Sequence, residues 1–243
     1  MNRFETEALA PWQWVPPAGW PAKSLARIEA DLCGPGQTFE METLDIRGIP
    51  TRTWKNAPSS LRVLADHARG HGERLITIYE DERVTYEAWY RAVASLAAEL
   101  RSSGIEKGDR VALAMRNLPE WPVAFFAVTA IGAICVPLNA WWTGHELAFG
   151  LADSGARLLI CDAERWERIA PHRVDCPDLS AVIVTRSETS DQTVRKLETI
   201  IGSPHDWAHL PDANIPEVSI APEDSATIFY TSGTTGKPKG ALG

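Results

Sequence analysis

The sequence predicts an α/β fold in which helices cover both faces of a mostly parallel sheet, a doubly wound arrangement. Two observations lead to this prediction. Between residues 110 and 185, short apolar runs alternate with segments of helical periodicity. The runs are apolar along most of their length, which is typical of strands that are buried on both faces. Strands of this kind, when helices separate them, form a parallel sheet with a helical layer on each side.

The first elements of this domain are a helix and a hairpin. Apolar positions between Leu61 and His67 have helical spacing, and Leu75–Tyr79 and residues 83–86 are typical of two strands joined by an acidic turn. The next apolar positions, from residue 86 to residue 100, recur at helical intervals, and Gly104 is a suitable stop. This segment is predicted to be an amphipathic helix of about four turns.

Strands and helices then alternate regularly. The predicted elements are, in order, strand 110–115, helix 120–131, strand 133–138, helix 144–153 and strand 157–162, followed by one further unit at 181–185 and 194–201. Thr143-Gly-His-Glu146 is a capping box, in which a threonine hydroxyl and a glutamate carboxylate satisfy backbone N–H groups at the start of a helix. These elements together make the predicted parallel sheet.

The two ends of this pattern are less regular. Residues 1–57 are rich in Trp, Pro and Gly, and we predict an irregular arm with one short helix from Leu25 to Leu32. Residues 202–223 contain four prolines and are predicted to be a surface crossover. The chain is therefore expected to consist of this arm and a partial α/β domain, 58–243, which ends just after a glycine-rich loop at a strand's carboxyl end.

The charge balance excludes one broad class of function. The chain has 24 Lys and Arg residues against 32 Asp and Glu residues, a formal net charge of −8, which argues against nonspecific binding of nucleic acid. Its four cysteines are far apart and include no CxxC pair, so neither a zinc site nor a disulfide framework is indicated. Cys135 and Cys161 lie in apolar runs and are predicted to be buried thiols.

A cytoplasmic location is predicted. The N-terminus carries acidic residues where a secretory signal needs a basic start and an apolar core. The most apolar stretch, from Trp121 to Leu138, is interrupted by prolines and a glycine, so we interpret it as a helix followed by a strand and not as a membrane span. Peripheral membrane contact through Trp12, Trp14 and Trp20 stays open, although such residues more often pack an arm onto its own domain.

The most informative segment is residues 230–242. A strand-like run, 226–230, leads into Thr231-Ser-Gly-Thr-Thr-Gly-Lys-Pro-Lys239. Backbone N–H groups of a glycine-rich loop can turn together toward one anion. The hydroxyl groups add neutral donors, and Lys237 and Lys239 add positive charge. This combination predicts a clamp for a polyphosphate.

The segment is not a Walker loop. That pattern needs a glycine five residues before its Gly-Lys pair and a Ser or Thr after the lysine, and here those places hold Thr231 and Pro238. A flexible Gly/Ser/Thr tail is the simpler alternative. A random linker, however, would not place Lys-Pro-Lys-Gly behind an apolar, β-rich run.

As a whole the loop closely resembles the signature loop of the adenylate-forming, or AMP-binding, family of acyl-CoA synthetases, luciferases and peptide-synthetase adenylation domains. Two weaker elements stand in family order: Thr85-Tyr-Glu-Ala-Trp89, with Trp89 in place of the usual leucine, and Gly132-Ala-Ile-Cys-Val-Pro-Leu-Asn139. The run from Asn139 to Leu147 is similar to the segment after this strand in bacterial fatty acyl-CoA synthetases. The resemblance is to the N-terminal half of such a long-chain enzyme.

This resemblance implies an ATP-dependent acid–thiol ligase. A carboxylate attacks the α-phosphorus of ATP to give an acyl-adenylate and pyrophosphate, and the thiol of coenzyme A then displaces AMP. Donors and Mg²⁺ near the phosphates stabilise the charge that accumulates there. The residues implied to hold the β- and γ-phosphates are Thr231, Ser232, Gly233, Thr234, Thr235, Gly236 and Lys239, with Lys237 as a further candidate that is expected to face solvent.

The remaining machinery of that family has no match in this sequence. Unmatched are the glutamate expected to hold Mg²⁺, the aspartate that binds the ribose, and the mobile C-terminal domain with its catalytic lysine. No catalytic residue is therefore assigned. We expect the chain by itself to be a C-terminally truncated fragment without ligase activity.

Other functions stay open at this point. The same loop would serve the adenylation of another acid or the loading of a carrier protein, and a noncatalytic nucleotide-binding or scaffold module belongs to a different class. His205 and His209 have helical ligand spacing, but they lack the intervening acid of an HExxH motif and are expected to be exposed. No metal ligand is assigned.

The remaining charges are interpreted as structural or solvated. No partner carboxylate is suggested by spacing for Asp81, Glu82 or Asp224, so an acid/base pair of the hydrolase kind is not supported. Four residues are interpreted as ordinary surface charges of one helix: Glu164, Arg165, Glu167 and Arg168.

Overall fold

The structure, a computed structural model, describes residues 24–46, 48–231 and 237–243. The described residues divide into two compact units, with the boundary between Ala57 and Pro58. Each unit is considered by itself.

The N-terminal unit contains one helix and one hairpin. Helix α1, Leu25–Cys33, begins at Ser24, whose hydroxyl accepts a hydrogen bond from the backbone N–H of Arg27. Strands β1, Met41–Ile46, and β2, Ile49–Trp54, pair in antiparallel register. The sequence predicts the helix but not the hairpin, because the two strands are mostly exposed and carry no apolar alternation. The arm is therefore less irregular than expected, while Trp12, Trp14 and Trp20 lie outside the described residues.

The second unit opens with the predicted helix and hairpin. Helix α2 spans Leu61–Arg69 and is capped by the hydroxyl of Ser60. Strands β3, Leu75–Tyr79, and β4, Glu82–Thr85, are antiparallel neighbours. The hydroxyl of Thr85 then caps the helix that follows.

The main sheet has five strands, all parallel, and this confirms the predicted fold class. The strands are β5, Arg110–Ala114; β6, Ile134–Pro137; β7, Leu158–Asp162; β8, Ala181–Thr185; and β9, Arg195–Lys196. Their order across the sheet is β6-β5-β7-β8-β9. The chain thus crosses the sheet in both directions from β5, as a doubly wound fold requires.

Helices cover both faces of this sheet. They are α3, Tyr86–Ser102; α4, Glu120–Ala130; α5, Gly144–Ser154; α6, Ala163–Ile169; and α7, Glu198–Ile201. Successive side chains of a strand point to opposite faces. Accordingly Val111 and Leu113 pack in the core beneath α3, α4 and α7, while Ala112 and Ala114 pack in the core beneath α5 and α6. The predicted capping box at the start of α5 is present.

The apolar stretch after Trp121 is divided as predicted. It forms most of helix α4 and then strand β6. Among the described residues, none of the helices combines the length and apolar character needed to cross a bilayer.

Residues 202–223 are a mostly exposed crossover, as predicted, but apolar side chains within it are buried. Trp207 begins a short 3₁₀ turn, Trp207–His209, and its side chain is fully buried. Ile215 is 1% exposed, and both residues join the core beneath α3. The prolines do prevent regular structure, but the apolar side chains between them still have to leave water, and they do so against α3.

The predicted strand that leads to the glycine-rich loop is present but lies outside the five-stranded sheet. Strands β10, Ile228–Thr231, and β11, Lys239–Leu242, form an antiparallel hairpin separate from the parallel sheet. An isolated parallel bridge joins Thr227 to Cys135 of β6. The loop follows the carboxyl end of a strand, as predicted, and the segment after the loop returns along β10 as β11.

Candidate functional site

The β10–β11 hairpin brings the two ends of the glycine-rich loop together. Thr231 is the direct cross-strand partner of Lys239. Residues 232–236, which include five of the eight predicted phosphate-binding residues, lie outside the described residues. The three described ones, Thr231, Lys237 and Lys239, are exposed. The pairing therefore places the two ends of the loop, Thr231 and Lys239, side by side.

The two lysines are available to an anion. Within the described residues, neither Lys237 nor Lys239 forms an ion pair with a carboxylate. The ammonium group of Lys237 lies 5.8 Å from the ring centroid of Phe149, a cation–π distance that leaves it exposed. Lysine offers a compact charge on a flexible stem, which suits a phosphate group that changes position during a reaction.

Arg165 is not a surface charge, which corrects the sequence interpretation. Its side chain is 1% exposed, and Nη1 lies 2.9 Å from Oδ2 of Asp162. Nε of Arg165 donates to the carbonyl oxygen of Ala140 at 2.8 Å. The neighbouring Glu164 and Glu167 are exposed, as predicted. Arg165 pairs with Asp162, three positions earlier at the carboxyl end of β7. The spacing of charges along the helix does not distinguish this buried pair from an exposed one.

Asp162 organises the end of its strand. Its carboxylate accepts hydrogen bonds from the backbone N–H of Arg165, 3.0 Å, and from the backbone N–H of Arg116, 2.9 Å. Asp162 therefore caps α6 and ties the end of β7 to the end of β5. This is a structural role, and the polar position at the end of an apolar strand was its only signal in the sequence.

A second charged network joins β8 to the β3–β4 hairpin. Arg186, directly after β8, donates from Nε to Glu120 at 2.9 Å and from Nη2 to Glu82 at 2.8 Å. Its φ of +54° is uncommon for a residue with a side chain. Glu198 accepts from the backbone N–H of Arg186 and, at 2.8 Å, from the hydroxyl of Thr185. Three carboxylates thus converge on one residue.

This network was missed because its members are far apart in sequence. Glu82 was expected to have no partner carboxylate, yet Arg186 holds it beside Glu120. Burial raises the pKa of Glu120, although the hydrogen bond from Arg186 acts in the opposite direction. The guanidinium lies between the two acids and occupies their oxygens, so the arrangement stabilises the fold and does not form a hydrolytic acid/base pair.

A cleft of about 520 Å³ lies beside these networks, at the carboxyl ends of β5, β7 and β8. Arg116, Asp162, Arg165 and Arg186 contribute to its walls. Open α/β sheets usually bind ligands at this edge. The described residues of the glycine-rich loop are not among those that line it.

The other candidate residues take structural positions. His205 and His209 are exposed, as predicted. Cys135 and Cys161 are buried, as predicted, and burial raises the pKa of each thiol. Across residues 24–46, 48–231 and 237–243, no group of three or more His, Cys, Asp or Glu residues is arranged to hold a metal ion.

Comparison with known proteins matches this architecture. The model of the AMP-binding enzyme family matches residues 64–242. Acetyl-coenzyme A synthetase 2 of Pseudomonas aeruginosa is 31% identical over 194 residues, which cover 72% of this chain and 29% of the relative. A 2-succinylbenzoate–CoA ligase of a Geobacillus species is 34% identical over 169 residues, covering 69% of this chain and 29% of the relative.

A solved structure of a Mycobacterium tuberculosis fatty acyl CoA synthetase is similar as well. It is 28% identical to this chain, with a TM-score of 0.59, and the match covers 76% of this chain and 34% of that one. The chain belongs to the AMP-binding enzyme family. It spans only about a third of the length of these three relatives.

Proposed function

We propose that this chain supplies the ATP-phosphate clamp of an ATP-dependent acid–CoA ligase. The observation that carries the proposal is the pairing of Thr231 with Lys239, which closes the glycine-rich loop at the end of a hairpin. Family membership supports the reaction class. The residues proposed to contact the β- and γ-phosphates are Thr231, Ser232, Gly233, Thr234, Thr235, Gly236, Lys237 and Lys239.

The residues of this chain stabilise negative charge on the phosphates and do not form covalent bonds to the substrate. When bound, ATP supplies the activated α-phosphorus, Mg²⁺ neutralises phosphate charge, and coenzyme A supplies the thiol. Lys239 and Lys237, both exposed beside the loop, are suited to hold the pyrophosphate that departs when the acyl-adenylate forms. Neutral hydroxyl donors such as Thr231 orient the phosphates without adding charge.

A fatty acid is the proposed substrate. Its support is the run from Asn139 to Leu147, which is similar to the same region of bacterial fatty acyl-CoA synthetases. The names of the two curated relatives favour other acids, acetate and 2-succinylbenzoate, and these are the competing candidates.

The test is a thioester-forming assay on the protein as its gene encodes it. Acetate, 2-succinylbenzoate, benzoate, octanoate and palmitate are compared at equal concentration with ATP, Mg²⁺ and coenzyme A. Formation of AMP and an acyl-CoA is expected, with the highest kcat/KM for the fatty acids. Turnover confined to acetate or to an aromatic acid would overturn the substrate proposal, and no AMP formation with any acid would overturn the ligase proposal.

A further inference from the structure

Helix α5 is held at both ends. A capping box of Thr143 and Glu146 closes its first turn. At the other end, Arg110 donates from Nε to the carbonyl oxygen of Ser154 at 2.9 Å and from Nη2 to that of Gly155 at 2.7 Å. One face of the helix is buried against the sheet. The helix is therefore a rigid support for whatever packs on its outer surface.

The β10–β11 hairpin contacts this helix through Tyr230. The hydroxyl of Tyr230 donates to Oδ2 of Asp153 at 2.7 Å. Its ring meets Trp142 edge-on, with ring centroids 5.8 Å apart. A Cβ at Gly150 would lie only 3.2 Å from the Trp142 ring, so the glycine makes room for the tryptophan that flanks Tyr230.

Tyr230 also touches both strands that lead into the loop. It directly precedes Thr231, and its cross-strand partner is Gly240, which directly follows Lys239. A Cβ added at Gly240 would lie 3.3 Å from Cζ of Tyr230, so the ring packs closely over this glycine. The ring of Tyr230 therefore lies next to the residues that flank both ends of the loop.

A second contact links the loop to the same helix. Just before β11, the Lys237 ammonium group lies 5.8 Å from the ring centroid of Phe149. Asp153 and Phe149 are four positions apart, so they are neighbours on one side of α5. Helix α5 thus contacts the chain before the loop and after it.

We infer that Tyr230 and Asp153 are positioning residues that hold the phosphate clamp on helix α5. Their hydrogen bond fixes the ends of the loop before a ligand arrives, so binding a polyphosphate orders fewer groups. The inference rests on the proposed polyphosphate-binding role of the loop. Neither residue is proposed to touch the phosphates.

The hydroxyl of Tyr230 remains a donor at neutral pH. Burial raises the pKa of Tyr230, and the hydrogen bond to Asp153 acts in the same direction. A protonated tyrosine and an ionised carboxylate form a charge-assisted hydrogen bond. An asparagine at position 153 would keep a neutral acceptor, whereas an alanine would leave the hydroxyl only the carbonyl oxygen of Gly150, 3.4 Å away.

The experiment is calorimetric titration of inorganic tripolyphosphate into the 243-residue chain. Tripolyphosphate carries no adenine or ribose, so it probes the clamp alone. The variants are Tyr230→Phe, Asp153→Ala and Asp153→Asn. Tyr79→Phe and Asp81→Asn are matched controls outside the hairpin and α5. Hydrogen exchange of residues 226–243 is measured for each variant.

Tyr230→Phe and Asp153→Ala are expected to weaken binding by about three- to tenfold, the range of one lost hydrogen bond. Asp153→Asn should recover most of the affinity, the controls should bind as the unmodified chain does, and faster exchange should be confined to the hairpin. If Tyr230→Phe fails to fold, the difference in tripolyphosphate affinity between Asp153→Ala and Asp153→Asn tests the positioning role. Equal affinity for all variants would overturn the positioning role, whereas no binding by the unmodified chain would overturn the clamp itself.

Discussion

Asp162 and Arg165 form an ion pair that is almost closed to solvent: Nη1 lies 2.9 Å from Oδ2, and the two side chains are 8% and 1% exposed. Removing one member leaves the other charged and buried, which costs about 3–5 kcal/mol. We therefore expect Asp162→Ala to lower the free energy of unfolding by about 3 kcal/mol. Urea denaturation measures this loss. Glu167→Ala, on the exposed side of the same helix, is the control and should change stability by less than about 0.5 kcal/mol.

Glu120 is expected to make stability depend on pH. Its pKa is raised by burial, so it binds a proton more tightly in the folded chain than in the unfolded chain. Stability linked to this group is fully present below its ordinary pKa of 4.5 and is lost as pH rises through the raised value. The stability of the unmodified chain relative to Glu120→Gln should therefore decline as pH rises from 4.5.

The measurement is urea unfolding of both proteins at several pH values between 4.5 and about 7. An unmodified chain that becomes more stable relative to Glu120→Gln as pH rises would contradict the stated direction of the pKa shift.

Trp207 tests whether the proline-rich segment belongs to the core. Its side chain is fully buried with the residues beneath α3. Trp207→Ala is expected to lower the free energy of unfolding by about 3–5 kcal/mol, as large-to-small core substitutions do. His209→Ala, in the same 3₁₀ turn but exposed, should have little effect. Equal, small effects in the two variants would mean that Trp207 does not contribute to the core.

The isolated 243-residue chain is expected to form no acyl-adenylate. The resemblance assigns ribose binding to an aspartate and catalysis to a lysine, and neither has a match among these 243 residues. Exchange of labelled pyrophosphate into ATP, in the presence of acetate or palmitate, is the direct measurement. Exchange above the level of a no-acid control would refute this prediction.

The sheet and its helices could be predicted because their signals are local. Strands such as Leu158–Asp162 are apolar along most of their length, and the capping box at Thr143 marks a helix start by itself. The hairpin of the first unit was missed because its strands are exposed and therefore lack the apolar alternation that identifies a strand.

The errors in the site concern contacts between distant residues. Glu82 and Glu120 meet at Arg186, which follows them by 104 and 66 positions, and no local pattern indicates such a contact. Arg165 had the spacing of a surface ion pair, and only the fold shows that its helix turns this residue toward Asp162. The glycine-rich loop was recognised from contiguous residues, but its place in a hairpin depends on pairing with Lys239.

The central claim is that the closed loop of the β10–β11 hairpin binds the phosphates of ATP, and equilibrium titration of ATP into the 243-residue chain tests it most directly. Saturable binding is expected, with an affinity that Lys239→Ala lowers at least about tenfold, since a charge-assisted contact is worth about 1.5–3 kcal/mol. Lys196→Ala, on β9, is the matched control and should bind ATP as the unmodified chain does. Absence of binding, or equal affinity in the Lys239→Ala variant, would contradict the claim.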